Sequence, residues 1–350
     1  MINTMFLHIF LLVIIFSQYL FSITIATNSS TTNSSTISYQ VLPFIRVYTN
    51  GTVERLRGTK IVPPSLDPET RVLSIDIQIS TNPNISARIY RPDNATWNKL
   101  PLLVYFHGGA FFTESAFSPT YHNFTNSLVA NSNVIAVSVN YRLAPENLLP
   151  IGYQDSWRAL KWIFSHNNNN NNKSDEAIMW LKKYVNFSKV YVAGDSAGGN
   201  IAHNMAMRAG LDKTGRVVLN GMFLNCPHFW GVKRIGNESI FPESDRAGVE
   251  GIWVHAYPNS KGSDDPLMNP RKDPNINKLG CKNVLVYVAE LDIYKDRGLD
   301  YGKMLNESKW GGDVRVVEVK GEYHVFNLNN PDSPKAKDML QDLAKFLNQG

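Results

Sequence analysis

The 350-residue sequence has only two cysteines, Cys226 and Cys281. That excludes a disulfide-stapled scaffold, and the lack of any CxxC pair or Cys/His cluster excludes a zinc site by ligand spacing. The two can bridge in an oxidising compartment or stand as buried thiols. Charge of one sign is also thin: 35 Lys and Arg oppose 30 Asp and Glu, and the net +5 is scattered along the chain. With no recognition motif beside it, that balance describes a mildly basic surface and not a nucleic-acid binder. No internal repeat is visible. What is present, 43% hydrophobic and 19% charged residues, suffices for a sizeable core without metal or disulfide support.

One long hydrophobic run stands out, at the N-terminus. Met5 to Ala26 reads MFLHIFLLVIIFSQYLFSITIA and is followed by the polar TNSSTTNSSTIS. Thr24 and Ala26 put small residues where a signal peptidase cuts, so residues 1–26 read as a secretory signal. No Lys or Arg precedes the block, and about 20 apolar residues span a bilayer, so an uncleaved signal anchor is the competing reading. In both cases the domain enters the secretory route, with membrane association only through residues 5–26. A segment that failed as a signal would leave the protein cytoplasmic. N-x-S/T sequons at Asn28, Asn33, Asn50, Asn84, Asn94, Asn123, Asn172, Asn186, Asn237 and Asn306 fit secretory entry, with several expected to be used and some buried. Residues 27–37 read as a disordered linker, and 38–350 as one folded domain.

Within that domain, β-rich runs start at Arg71 (RVLSIDIQI) and Ile85 (ISARIYRP). Continuous apolar strands, of the kind buried on both faces, follow at 102–106, 134–139, 189–194, 221–225, 284–289 and 314–319. Helical stretches begin at Asp155, Ser196 and Ser333. The alternation predicts an α/β fold with a mostly parallel central sheet flanked by helices. The Pro- and aromatic-rich segment 227–274 breaks this rhythm. Together with residues 38–57 it is expected to form a cap over the active site. The six Asn at 167–172 read as a solvated loop.

The chemistry centres on Gly194-Asp195-Ser196-Ala197-Gly198, a G-x-S-x-G run between the strand KVYVA and a helix-forming stretch. A strand-to-helix turn this sharp strains the Ser backbone, and glycines on both sides remove clashing Cβ atoms. The hydroxyl is lifted to a helix N-terminus, whose dipole favours negative charge. His107-Gly108-Gly109-Ala110-Phe111 follows the strand LLVYF and offers backbone donors for a tetrahedral oxyanion, each worth about 3 kcal/mol. The amides of Gly109 and Ala110, with Gly108 as their neighbour in the oxyanion hole and Ala197 after the nucleophile, are the candidate donors. Phe111 and Phe112 either wall an apolar pocket or pack in the core. A base and an orienting acid then belong on later strand ends. His324 follows VRVVEV, and Asp292 follows VLVYVA, ahead of its chemical rivals Glu290 and Asp296.

The ordered set YFHGGAF, SAFSPTYHNF, VNYRLAPE, GDSAGGN, ELDIYKDRG and EYHVF resembles the plant carboxylesterases, in the hormone-sensitive-lipase group of α/β-hydrolases. The resemblance runs from about Tyr39 to the C-terminus. It implies an α/β-hydrolase fold and a Ser196–Asp292–His324 triad, with oxyanion donors in the HGG segment and at Ala197. The family more often has Gly where Ala110 stands. A backbone donor tolerates Ala if φ stays negative, with a narrowed acyl side as the expected result. The implied activity is hydrolysis of a small-molecule ester, such as a plant specialised metabolite, through an acyl-enzyme and without metal or organic cofactor. The group also includes 2-hydroxyisoflavanone dehydratase-like enzymes and cyclases, so elimination or cyclisation by the same base is the alternative. Receptors of this group have the triad His replaced, and His324 argues against that reading.

Overall fold

The computed structural model describes residues 36–95, 98–167 and 175–349. The hydrophobic N-terminal run, nearly all of the 27–37 linker and most of the Asn run lie outside the described residues. The folded unit begins at Ile37.

Ile37–Val41 (β1), Ile45–Tyr48 (β2) and Val53–Arg55 (β3) form a small antiparallel sheet. The main sheet has eight strands: Val72–Thr81 (β4), Asn84–Pro92 (β5), Leu100–Phe106 (β6), Ile135–Asn140 (β7), Val185–Asp195 (β8), Gly221–Asn225 (β9), Asn283–Ala289 (β10) and Asp313–Val319 (β11). Their order is β11-β10-β9-β8-β6-β7-β5-β4. Only β5 pairs antiparallel, with β4 and with β7. The other pairings are parallel, which explains the apolar runs: Leu102 to Phe106 and Val190 to Ala193 are buried on both faces.

Eight α-helices lie among the described residues: Pro119–Ser132 (α1), Ile151–Ser165 (α2), Glu176–Tyr184 (α3), Ala197–Leu211 (α4), Glu243–Ala256 (α5), Lys295–Glu307 (α6), Phe326–Asn329 (α7) and Pro334–Leu347 (α8). On one sheet face Leu128 of α1 packs in a cluster with Met339 and Leu343 of α8. On the other, Trp157 of α2, Met205 of α4 and Leu305 of α6 share a second cluster. The expected helix from Asp155 begins earlier, at Ile151 just after Pro150. Helix α1 has no clean apolar stripe, because its buried side includes His122, Thr125 and Asn126. Among the described residues no helix is long and apolar enough to cross a membrane.

This topology decides where a site can form. From β6 the chain crosses to β7 on one side, while β8 lies on the other. Open α/β sheets bind ligands in the crevice beyond the carboxyl ends of strands at such a reversal. The segments leaving β6 and β8 there are the HGG loop and the Ser196 turn.

The 227–274 segment supplies α5 and short 3-10 turns in place of strands. Tyr39 of β1 stacks on His255 of α5 at 4.7 Å, joining the two parts of the expected cap. Trp253 of α5 lies edge-on to Phe111, with ring centroids 6.2 Å apart. Glu238 and Arg297 form a buried ion pair that fastens this segment to α6. Arg297 Nη2 also donates to the carbonyls of Gly231 and Lys233, at 3.2 and 2.7 Å. Arg297→Ala would leave the Glu238 carboxylate buried and uncompensated, so urea unfolding should show a loss of about 3–5 kcal/mol. Adding Glu238→Leu should restore most of it. A loss below about 1 kcal/mol in the single variant would contradict this account.

Candidate active site

Ser196 sits between β8 and α4 with φ 51° and ψ −121°, the strained backbone expected of a strand-to-helix elbow. Close packing enforces the flanking glycines. A Cβ on Gly198 would overlap the Phe106 carbonyl oxygen, and one on Gly194 would overlap the Gly198 backbone. The Ser196 amide donates to the Asn225 carbonyl, and the Ser196 carbonyl accepts from the His228 amide, both at 2.9 Å. The turn after β9 thus braces the elbow from below.

Asp195 is buried beneath it, accepting from the hydroxyls of Tyr105 at 2.7 Å and Tyr121 at 2.8 Å. Burial raises its carboxyl to about 6, although both phenols work to lower it. Tyr121 in turn accepts the Gly108 amide at 2.7 Å. This corrects the expectation for Gly108. Its N–H is already engaged, leaving Gly109, Ala110 and Ala197 as the candidate oxyanion donors.

A second correction concerns Ala110. Its φ is +56°, not negative, and it lies between Gly109 at +98° and Phe111 at +66°. A left-handed non-glycine residue costs roughly 1–2 kcal/mol. Packing and hydrogen bonds hold it there. Ala110 and Phe111 are buried, and the amides of Phe112 and Thr113 both donate to the Gly109 carbonyl at 3.0 Å. Ala144 N–H donates to the Phe111 carbonyl at 3.0 Å, and Arg55 Nε to that of Phe112 at 2.8 Å. Phe111 and Phe112 are both buried in the main core cluster, and Phe111 also faces His228 across 5.8 Å.

Beyond β10 and β11 the structure brings Asp292 and His324 together. His324 Nδ1 lies 2.7 Å from Asp292 Oδ2, and the Tyr294 amide donates to Asp292 Oδ1 at 3.1 Å. Asp292 is buried, while a third of the His324 side chain is exposed. Burial alone would lower the imidazole pKa; the charge and hydrogen bond of Asp292 outweigh it and hold His324 above its ordinary value. The rivals are occupied elsewhere. Glu290 pairs with Lys320 at 3.0 Å, and Asp296 accepts the Asn237 amide at 2.6 Å.

Two side chains escaped the sequence reading. Cys226 and His228 follow β9, the strand between those that end at Ser196 and at Asp292. The Cys226 thiol is buried beside Asp292, and burial and that carboxylate's charge both raise its pKa. Its Sγ lies with the ligating atoms of Asp292 and His324 inside a 4.8 Å cluster. Cys226 and Cys281 are free, so the thiol alternative is the one observed. The usable signal was positional, since a turn leaving a central strand at the carboxyl edge must border the crevice. Two surface hollows of about 420 Å³ lie elsewhere, around Lys161 and Phe164 and around Arg55 and Glu146.

Sheet order, elbow and loop together define the class. A family model described as alpha/beta hydrolase fold matches residues 103–328, and the chain belongs to this family. It is 45% identical over 317 residues to "Probable carboxylesterase 7" of Arabidopsis thaliana, covering 90% of this chain and 99% of that protein. It is 44% identical over 328 residues to "2-hydroxyisoflavanone dehydratase" of Glycyrrhiza echinata, covering 92% and 99%. Among solved structures, an esterase from Pyrobaculum calidifontis is similar with a TM-score of 0.65 and 26% identity, over 78% of this chain and 84% of that one.

Tyr121→Phe tests the link from Asp195 to the HGG loop. Losing one donor to a buried carboxylate and the acceptor of a buried amide should cost about 1–3 kcal/mol in urea unfolding. Because Gly109 and Ala110 lose their anchor, ester turnover should fall in kcat more than KM rises. Unchanged kcat would separate this bond from the chemistry.

Proposed function

We propose that the chain is a serine carboxylesterase acting on small-molecule esters through an acyl-enzyme on Ser196. The observation that carries the reading is the Asp292–His324 pair, 2.7 Å apart, at the strand ends beside the Ser196 elbow. His324 accepts the Ser196 Oγ proton as that oxygen attacks the ester carbonyl. Asp292 fixes the imidazole tautomer and stabilises its charge. The oxyanion lies against the amides of Gly109, Ala110 and Ala197. His324 then gives its proton to the departing alcohol, and a water deprotonated by His324 attacks the acyl-enzyme to release the acid.

The relative named 2-hydroxyisoflavanone dehydratase keeps elimination as the second reading, because one His base can serve either reaction. A short-chain aryl ester separates them. The wild type should release a burst of phenol and then turn over steadily, and Ser196→Ala should do neither. No turnover across several acyl lengths would refute the esterase.

The pH profile adds a test of sign. The imidazole must be neutral to take the Ser196 proton, so activity rises as pH climbs through the His324 pKa. Asp292 raises that pKa, placing the acidic limb above the ordinary imidazole value. Asp292→Asn should move the limb down and reduce kcat by about 10⁴. A limb that stays in place would remove Asp292 from the triad.

Secretory entry is proposed on the sequons. Asn50, Asn84, Asn94, Asn123, Asn237 and Asn306 are all exposed, and Asn186 is half-buried. Protein made in plant tissue should shift on a gel after enzymatic deglycosylation. An unshifted, full-length cytosolic protein would refute this.

A further inference from the structure

We propose that His228 is a specificity-determining residue that hydrogen-bonds a hydroxyl group of the ester substrate. The inference rests on the esterase reading, because its occupant is part of the ester cleaved at Ser196. His228 is 1% exposed, and neither ring nitrogen has a hydrogen-bond partner among the described residues. A buried polar group without a partner costs free energy, so such a ring calls for a partner from outside the chain. Its main chain is held on both sides: the amide donates to the Ser196 carbonyl at 2.9 Å, and the carbonyl accepts from Asn200 Nδ2 at 3.0 Å.

The rings around it belong to the site. Phe111 of the HGG loop stands edge-on at 5.8 Å, and Tyr294, two residues past Asp292, lies at 4.8 Å. Tyr294 also borders His324, with centroids 5.2 Å apart. The imidazole is therefore set between a ring of the oxyanion loop and the ring that borders the base.

The ring's charge state selects its ligand. Burial, reinforced by His324, lowers its pKa to about 3. At neutral pH it presents one N–H and one lone pair, and a hydroxyl can satisfy both. A carboxylate can only accept and an ammonium can only donate, and each would also be stripped of water in this setting. A methyl ether leaves the lone pair unmatched.

The test uses 2-, 3- and 4-hydroxyphenyl acetates and methyl 2-, 3- and 4-hydroxybenzoates, each beside its O-methyl counterpart, with phenyl acetate as reference. The two series place the hydroxyl on the alcohol and on the acyl side. The wild type should prefer at least one hydroxylated member by about tenfold or more in kcat/KM, mainly through KM. His228→Phe keeps an aromatic ring without nitrogens, and the ratio should fall towards one. His228→Gln, with a donor and an acceptor, should restore part of it. Because the ratio is taken within one protein, partial loss of folded material does not disturb it. A wild type without preference, or a preference kept in His228→Phe, would overturn the proposal. Loss of Ser196-dependent turnover for every ester, phenyl acetate included, would overturn the esterase reading instead. The subsite is then decided by titrating the same esters into Ser196→Ala and following the ¹⁵N shifts of the His228 ring.

Discussion

The carboxylate of Asp195 joins two segments that the chain keeps almost ninety residues apart. Tyr105 and Tyr121 both donate to it, and Tyr121 passes the constraint on to the Gly108 amide. The elbow carrying Ser196 and the loop carrying the oxyanion amides are thereby fixed to one point. Burying an acid there is costly, as its upward pKa shift shows. Apolar residues could fill the same volume, but they would not orient an amide plane. Where donors must meet a developing charge, orientation is what a hydrogen-bond chain adds to packing.

The turn after β9 plays the matching part for the other half of the site. Asn225 and His228 hold Ser196 through main-chain bonds, while the Cys226 thiol reaches Asp292. Asp292 thus has two hydrogen-bond partners, His324 and the Tyr294 amide, with the thiol close by. Each bond fills lone-pair capacity that would otherwise be buried and unmet. Nucleophile and acid are bound into a common frame through the strand between them.

The sheet was legible in the sequence because strands buried on both faces cannot hide. The runs at 102–106, 189–194 and 284–289 need apolar residues at successive positions, and no helix stripe reads that way. The elbow was legible for a related reason, since only glycine fits where Gly194 and Gly198 meet backbone. The small β1–β3 sheet was not read because its short strands bury little beyond Val41 and Ile45, and helix α1 because its buried side mixes polar with apolar residues. Nor was the engagement of Gly108. It depends on a tyrosine thirteen positions away, and local pattern does not report which hydroxyl fills which gap. The positive φ of Ala110 escaped in the same way: surrounding contacts impose it against the residue's own preference.

One consequence concerns time. Arg55 belongs to the first strands of the domain to leave the ribosome, yet its partners are the Phe112 carbonyl and the Glu146 carboxylate. Tyr39, still earlier, stacks on His255, more than two hundred residues later in the chain. The N-terminal strands therefore wait until α5 has been made before the surface they cover exists. His324 is made well over a hundred residues after Ser196, so the nascent chain carries its nucleophile before it carries a base. A chain cut short before His255 would leave its first strands without the helix they pack on and its nucleophile without a base. The chain makes its nucleophile first, the cover of its N-terminal strands next and its base later.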